Sequence, residues 1–151
     1  MAKQIIEATR NAIPNSTISR TSLYLIATMD GVTQTDGSDL PRDSYVRTVG
    51  LSDSSASANS ESKPAGVILE VQGTKDVRLA KRGVVKVKSL AAPQASDLNK
   101  LAVAASGQTG TDDDGKAMPA GASSINPLGT ILGYEGNSAD NGYYWVDLNF
   151  D

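Results

Sequence analysis

The apolar positions of this chain come in short bursts, and the densest series runs from Gly66 to Leu90. Val67, Ile68, Leu69 and Val71 form one burst, Val77 and Leu79 a second, and Val84, Val85 and Val87 a third. Gly73 and Gly83 punctuate them. Bursts of this length suit strands and are too short for an amphipathic helix. In the third, Val85 and Val87 alternate with Lys86 and Lys88, the period of a strand with one wet face. Gln72-Gly73 predicts a turn, whereas Lys81-Arg82-Gly83 fits either a second turn or a bulge within one long strand.

The same reading gives further strands on either side. Thr21 to Met29 is one, closed by an Asp30-Gly31 turn. Tyr45 to Leu51 is another. Ile125 to Tyr134 is a third, with Pro127 at its entrance. Tyr143 to Phe150 shows the cleanest alternation, with Tyr144, Val146, Leu148 and Phe150 on one face and Tyr143, Trp145, Asp147 and Asn149 on the other. Lys100 to Ala105 reads as a short strand, in competition with a helix over Leu98 to Ala105 capped by Ser96 or Asp97. Val32 to Asp43 and Gly107 to Gly121 read as polar loops. Ser52 to Lys63, with six Ser in twelve residues, reads as a flexible loop with nothing to bury. Met1 to Ser19 has no clean period and fits either an extended arm or an edge strand. The expected fold is all-β: a small antiparallel barrel or sandwich of about seven strands spanning 20–151, preceded by an N-terminal arm over 1–19.

Composition narrows the chemistry. A length of 151 residues suits one domain. With one Trp, one Phe and five Tyr, the core is expected to be thin and completed by partner subunits. The chain has neither Cys nor His, which removes disulfides, Ser-His and Cys-His nucleophiles, and the usual zinc ligands. Met1 to Asn15 carries Lys3, Glu7 and Arg10 and lacks the apolar core of a secretory signal. The longest apolar run, Leu23 to Ala27, is far short of a membrane span.

Three motifs touch on known chemistry, and each is incomplete. Gly110 to Lys116 fits the first seven positions of a P-loop, but Ala117 stands where magnesium needs a hydroxyl, and Asp112, Asp113 and Asp114 repel phosphate. The same acids lack the partners of a calcium loop at Gly110 and Gly121, leaving an acidic turn with incidental cation affinity. Ser60-Glu61-Ser62-Lys63 matches the Ser-x-x-Lys of penicillin-binding enzymes but sits in the Ser-rich loop with no supporting motif. Carboxylate pairs remain as acid–base candidates, yet no motif positions one. The expectation is a protein that is not an enzyme and has no cofactor and no metal.

Charge is segregated. Residues 75–88 hold six basic groups against one acidic, whereas residues 89–151 hold two basic against eight acidic. The cluster Lys75, Arg78, Lys81, Arg82, Lys86 and Lys88 is therefore the leading interface candidate. Strict alternation would set Arg78, Arg82, Lys86 and Lys88 on one sheet face, provided no bulge intervenes. Such a stripe is either a solvated sheet face or a match for an acidic protein surface, including the acidic C-terminal part of another copy. No aromatic is interleaved to stack bases, and the net charge of −3 argues against nucleic acid. Tyr143, Tyr144 and Trp145 form the only aromatic knot, read as core or subunit interface, with sugar stacking as the competing use.

One pattern is familiar as a whole. Ala65-Gly66-Val67 leads to a strand with Arg82-Gly83-Val84-Val85-Lys86-Val87. A spacer around Asp97 to Leu101 and a Gly-rich acidic turn follow, then Ile131-Leu132-Gly133, then Val146-Asp147-Leu148. Over residues 65–151 this resembles the head decoration, or capsid cement, proteins of tailed bacteriophages. The resemblance implies a compact β-fold and a homotrimer made in the host cytoplasm. It would sit on the outer surface of the virion head and clamp neighbouring major capsid protein subunits. The alternative is a virion-associated module that binds carbohydrate or the host surface through Tyr143, Tyr144 and Trp145.

Overall fold

The computed structural model describes residues 4–34, 45–56, 63–124 and 126–149. Nine strands account for nearly all of the regular structure: β1 (Ile5–Pro14), β2 (Ile26–Gln34), β3 (Tyr45–Leu51), β4 (Pro64–Gln72), β5 (Asp76–Lys88), β6 (Leu101–Ala104), β7 (Ala117–Pro119), β8 (Gly129–Glu135) and β9 (Tyr143–Leu148). Among the described residues, one 3-10 turn covers Ala95–Asp97.

The strands close into two rings that share β5. In the first ring β1 pairs with β3, β3 with β2, β2 with β4, β4 with β5, and β5 with β1. Its filling is the cluster of Ala12, Ala27, Val49, Ala65, Ile68, Val77 and Leu79, to which all five strands contribute. In the second ring β5 pairs with β9, β9 with β8, β8 with β6, and β6 with β7. A bridge between Ser89 and Ala117, with a 2.8 Å hydrogen bond from Leu90 N to Ala117 O, brings β7 back to the end of β5. Val85, Val87, Ala102, Ala104, Ile131, Tyr144 and Val146 fill this second ring. Ile26, Val67 and Ala80 join the same cluster from the wall of the first ring. Closure removes sheet edges that would otherwise pair with other chains.

A one-residue slip at Lys81 makes the shared strand possible. Leu79 faces the first core and Ala80 the second, as neighbours on a strand must. Val85, an odd number of residues beyond Ala80, again faces the second core. Strict alternation forbids that, so the strand has slipped by one residue between them. Gly83 lies at φ 118°, and a Cβ there would overlap the Ile5 carbonyl oxygen of β1. The β1–β5 register slips on either side of Ala8. Of the two readings open for Lys81 to Gly83, the structure has the bulge.

Several expectations need correction. Ile5–Pro14 is not a free arm: it is β1, hydrogen-bonded to β5 from Ile5 to Ala12. Its lack of period follows from its bulges and from an exposed first half. The strand expected over Thr21 to Met29 starts only at Ile26, because Tyr24 adopts φ 66° and turns the chain. Asp30-Gly31 is no turn; it lies inside β2 at a register slip between Met29 and Gly31. The Ser-rich loop does bury part of itself: Ser52 and Ser54 are 1% and 0% exposed. Residues 57–62 of that loop, including most of the Ser-x-x-Lys match, lie outside the described residues. Gly107 to Gly121 is not all loop, since it contributes β7 and the buried Ala117. Lys100 to Ala105 is mostly β6, as the strand reading had it.

Candidate functional site

The cationic cluster is divided by the bulge. Arg78 shares its side of β5 with Ala80, whereas Lys86 and Lys88 lie opposite Val85 and Val87, both of which face the same core as Ala80. Arg78 and Lys86 therefore project to opposite sides of the sheet, and the four-residue stripe does not form. Two groups result.

The first group sits at the β4–β5 hairpin. Gln72 pairs with Asp76, and the turn between them is closed by Lys75 N donating to Gln72 O at 3.2 Å, with Gly73 at φ 59°. Lys75 and Arg78 are exposed here; further along, Lys81 is half-buried at the slip, and exposed Arg82 pairs with Ala8 of β1 on the face of Lys86. Arg78 approaches Glu70 only to 4.0 Å, with both side chains about half exposed. Such a pair contributes little to stability and leaves the cations available.

The second group is an aromatic cage on the outer wall of the second ring. Lys86 Nζ lies 4.7 Å from the ring centroids of both Tyr24 and Tyr143. The two rings meet edge to face at 6.0 Å, and Glu135 Oε1 stands 3.6 Å from the same ammonium. Attraction of the cation to both ring faces adds to the ion pair. Tyr24 reaches this position because its left-handed backbone is held by Tyr24 N donating to Ile68 O and by Lys88 N donating to Tyr24 O. Neither Tyr24 nor Glu135 stood out in the sequence, because nothing local ties them to Lys86. Only the pairing of Lys88 and Glu135 with Tyr143 across β9 brings them together.

The aromatic knot is mostly structural. Tyr144 is buried in the second core, and its hydroxyl donates to Asp97 Oδ2 at 2.8 Å. Burial, then the hydrogen bond and the charge of Asp97, push its phenol well above the ordinary tyrosine range. Gln94 N donates to the same carboxylate oxygen at 3.1 Å. Trp145, 9% exposed, lies on the other side of β9, opposite Lys86 and Gly133, and its indole Nε1 has no hydrogen-bond partner among the described residues. Tyr143 is half-buried in the cage.

The acidic turn is occupied with structural work. Asp114 Oδ1 accepts from Ser54 N at 2.9 Å and Ser54 Oγ at 2.7 Å, and Lys116 pairs with Asp113 at 3.1 Å. Gly115, at φ 80°, donates to Ser52 O and accepts from Ile26 N. The segment is thus a clasp between the Ser-rich loop and β2. Among the described residues no three carboxylates gather as metal ligands, and no helix is long and apolar enough to cross a membrane. Compared with family models, with characterised proteins and with solved structures, the chain matches none.

Proposed function

We propose that this protein is a capsid decoration subunit: it binds the outer surface of a bacteriophage head and bridges major capsid protein subunits as a homo-oligomer, the homotrimer being what the resemblance implies. The observation that supports this reading is the exposed cationic hairpin of Lys75 and Arg78 on a β-body closed into two rings. Closure holds the backbone that carries those cations in one conformation, so no strand has to become ordered when they meet an acidic surface. Each contact can be modest, because bridging several subunits multiplies affinity through effective concentration.

The test is occupancy and heat survival of capsids with and without the protein. Lys75→Glu/Arg78→Glu should lower occupancy while leaving the protein folded. Undecorated capsids that withstand heating as well as decorated ones would sink the proposal. The carbohydrate reading loses its strongest support, because Trp145 is nine-tenths covered within its own chain and offers little ring face to a sugar.

A further inference from the structure

The turn between β8 and β9, residues 136–142, contains a chemically labile pair that the packing around it demands. Asn141-Gly142 is the one place in the chain where Asn precedes Gly. Glycine is demanded by close approach: a Cβ at Gly142 would overlap Ser89 Oγ and lie 2.7 Å from both Pro93 Cδ and Ser138 O. Gly142 O also accepts from Ser89 N at 3.1 Å. Asparagine is demanded because its side chain is the hub of the turn. Asn141 Oδ1 accepts from Asn137 N and Ser138 N at 3.0 Å each and from Ser138 Oγ at 2.9 Å. Asn141 Nδ2 donates to Asn137 Oδ1 at 3.3 Å. Asn141 is nevertheless exposed, so water reaches it.

Asparagine is a thermolabile residue, and a following glycine leaves the next amide unshielded by any side chain. The Gly142 amide nitrogen bonds to Asn141 Cγ, the Cγ–Nδ2 bond breaks, and ammonia leaves carrying the amide proton. Water then opens the resulting cyclic imide at either carbonyl, giving aspartate or isoaspartate. The closed turn opposes the first step. Ring formation needs the carboxamide and the next amide in near-attack alignment, and it resets the main chain between Asn141 and Gly142. Here the carboxamide is fastened to Asn137 and Ser138 on one side, and Gly142 is fastened to Ser89 on the other. We propose that Asn141 is a modification site gated by this turn: it converts to aspartate and isoaspartate from the open turn and is inert in the closed one. Isoaspartate adds a main-chain carbon just before Gly142 and Tyr143. Tyr143 pairs with Glu135, and both hold Lys86 in the cage, so conversion also loosens the cage. The site does not depend on what the protein binds.

Peptide mapping by mass spectrometry tests it, on the full chain aged in warm, mildly alkaline buffer with and without urea. In urea Asn141 should convert faster than the other asparagines. In the folded protein its conversion should be slower by roughly tenfold or more, because the rate follows the fraction of open turn. Asn137→Ala/Ser138→Ala should speed conversion in the folded protein by roughly threefold or more and leave the rate in urea unchanged. Circular dichroism confirms folding, and Ser138→Ala alone serves if the double variant does not fold. The isoaspartyl chain, separated by ion exchange, should melt below the unmodified one. A folded-state rate equal to the rate in urea overturns the proposal. So does an Asn141 that stays intact in urea, or a folded variant that converts as slowly as the wild type. An isoaspartyl chain with an unchanged melting midpoint overturns the link to the cage.

Discussion

Removal of one oxygen atom, in Tyr144→Phe, tests the account of the second core. The Tyr144 hydroxyl donates to Asp97 Oδ2 at 2.8 Å, and Asp97 is only 5% exposed. A hydrogen bond to a charged group contributes about 1.5–3 kcal/mol net, and its loss leaves a buried carboxylate held chiefly by the amide of Gln94. We expect Tyr144→Phe to cost about 2 kcal/mol at neutral pH. For a chain of this size that lowers the melting midpoint by about 4–8 °C. The pH dependence supplies a second readout. The folded-state pKa of Tyr144 is raised above its unfolded value by burial, then by Asp97. The associated stability is fully present below the unfolded value, near pH 10, and is lost as pH rises above it. One proton contributes a slope of at most about 1.4 kcal/mol per pH unit. Urea unfolding between pH 8 and pH 11 should therefore show wild type and variant converging as pH rises. A loss below about 0.5 kcal/mol at pH 7, or a constant gap across the series, would refute the reasoning.

Gly83→Ala should unfasten β1, since its Cβ overlaps the Ile5 carbonyl and its backbone lies at φ 118°. A cost of about 1–3 kcal/mol is expected, with amide exchange accelerated first in Ile5 to Ala12. Ser89→Ala and Ser54→Ala should differ in their effect on stability. Ser89 Oγ is buried without a partner among the described residues, so its removal should be neutral or stabilising by up to about 1–3 kcal/mol. Ser54→Ala instead removes a 2.7 Å bond to Asp114 and should destabilise by about 1 kcal/mol or more; denaturant midpoints decide both. Arg78→Ala should change stability by less than about 0.5 kcal/mol in the same assay, because its 4.0 Å approach to Glu70 is half exposed.

Composition and local period were enough to determine the all-β class, the β4 and β9 strands, the Gln72-Gly73 turn, and Tyr144 facing inward with Val146 and Leu148. These follow from side chains alternating along a single strand, which one stretch of sequence records by itself. The cationic stripe was not determinable that way. Alternation counts residues, and the slip at Lys81 reassigns the face of every cation beyond it, Arg82 included, according to how β1 pairs with β5. The cage of Tyr24, Lys86, Tyr143 and Glu135 joins the turn at Tyr24 to the three strands β5, β8 and β9, and the partnership of Ser54 with Asp114 spans sixty residues. Two rings in place of one likewise depend on which strands pair with β5. Hydrogen-bond partners between distant strands are chosen by ring closure and by burial of both cores together, and only the tertiary structure decides that.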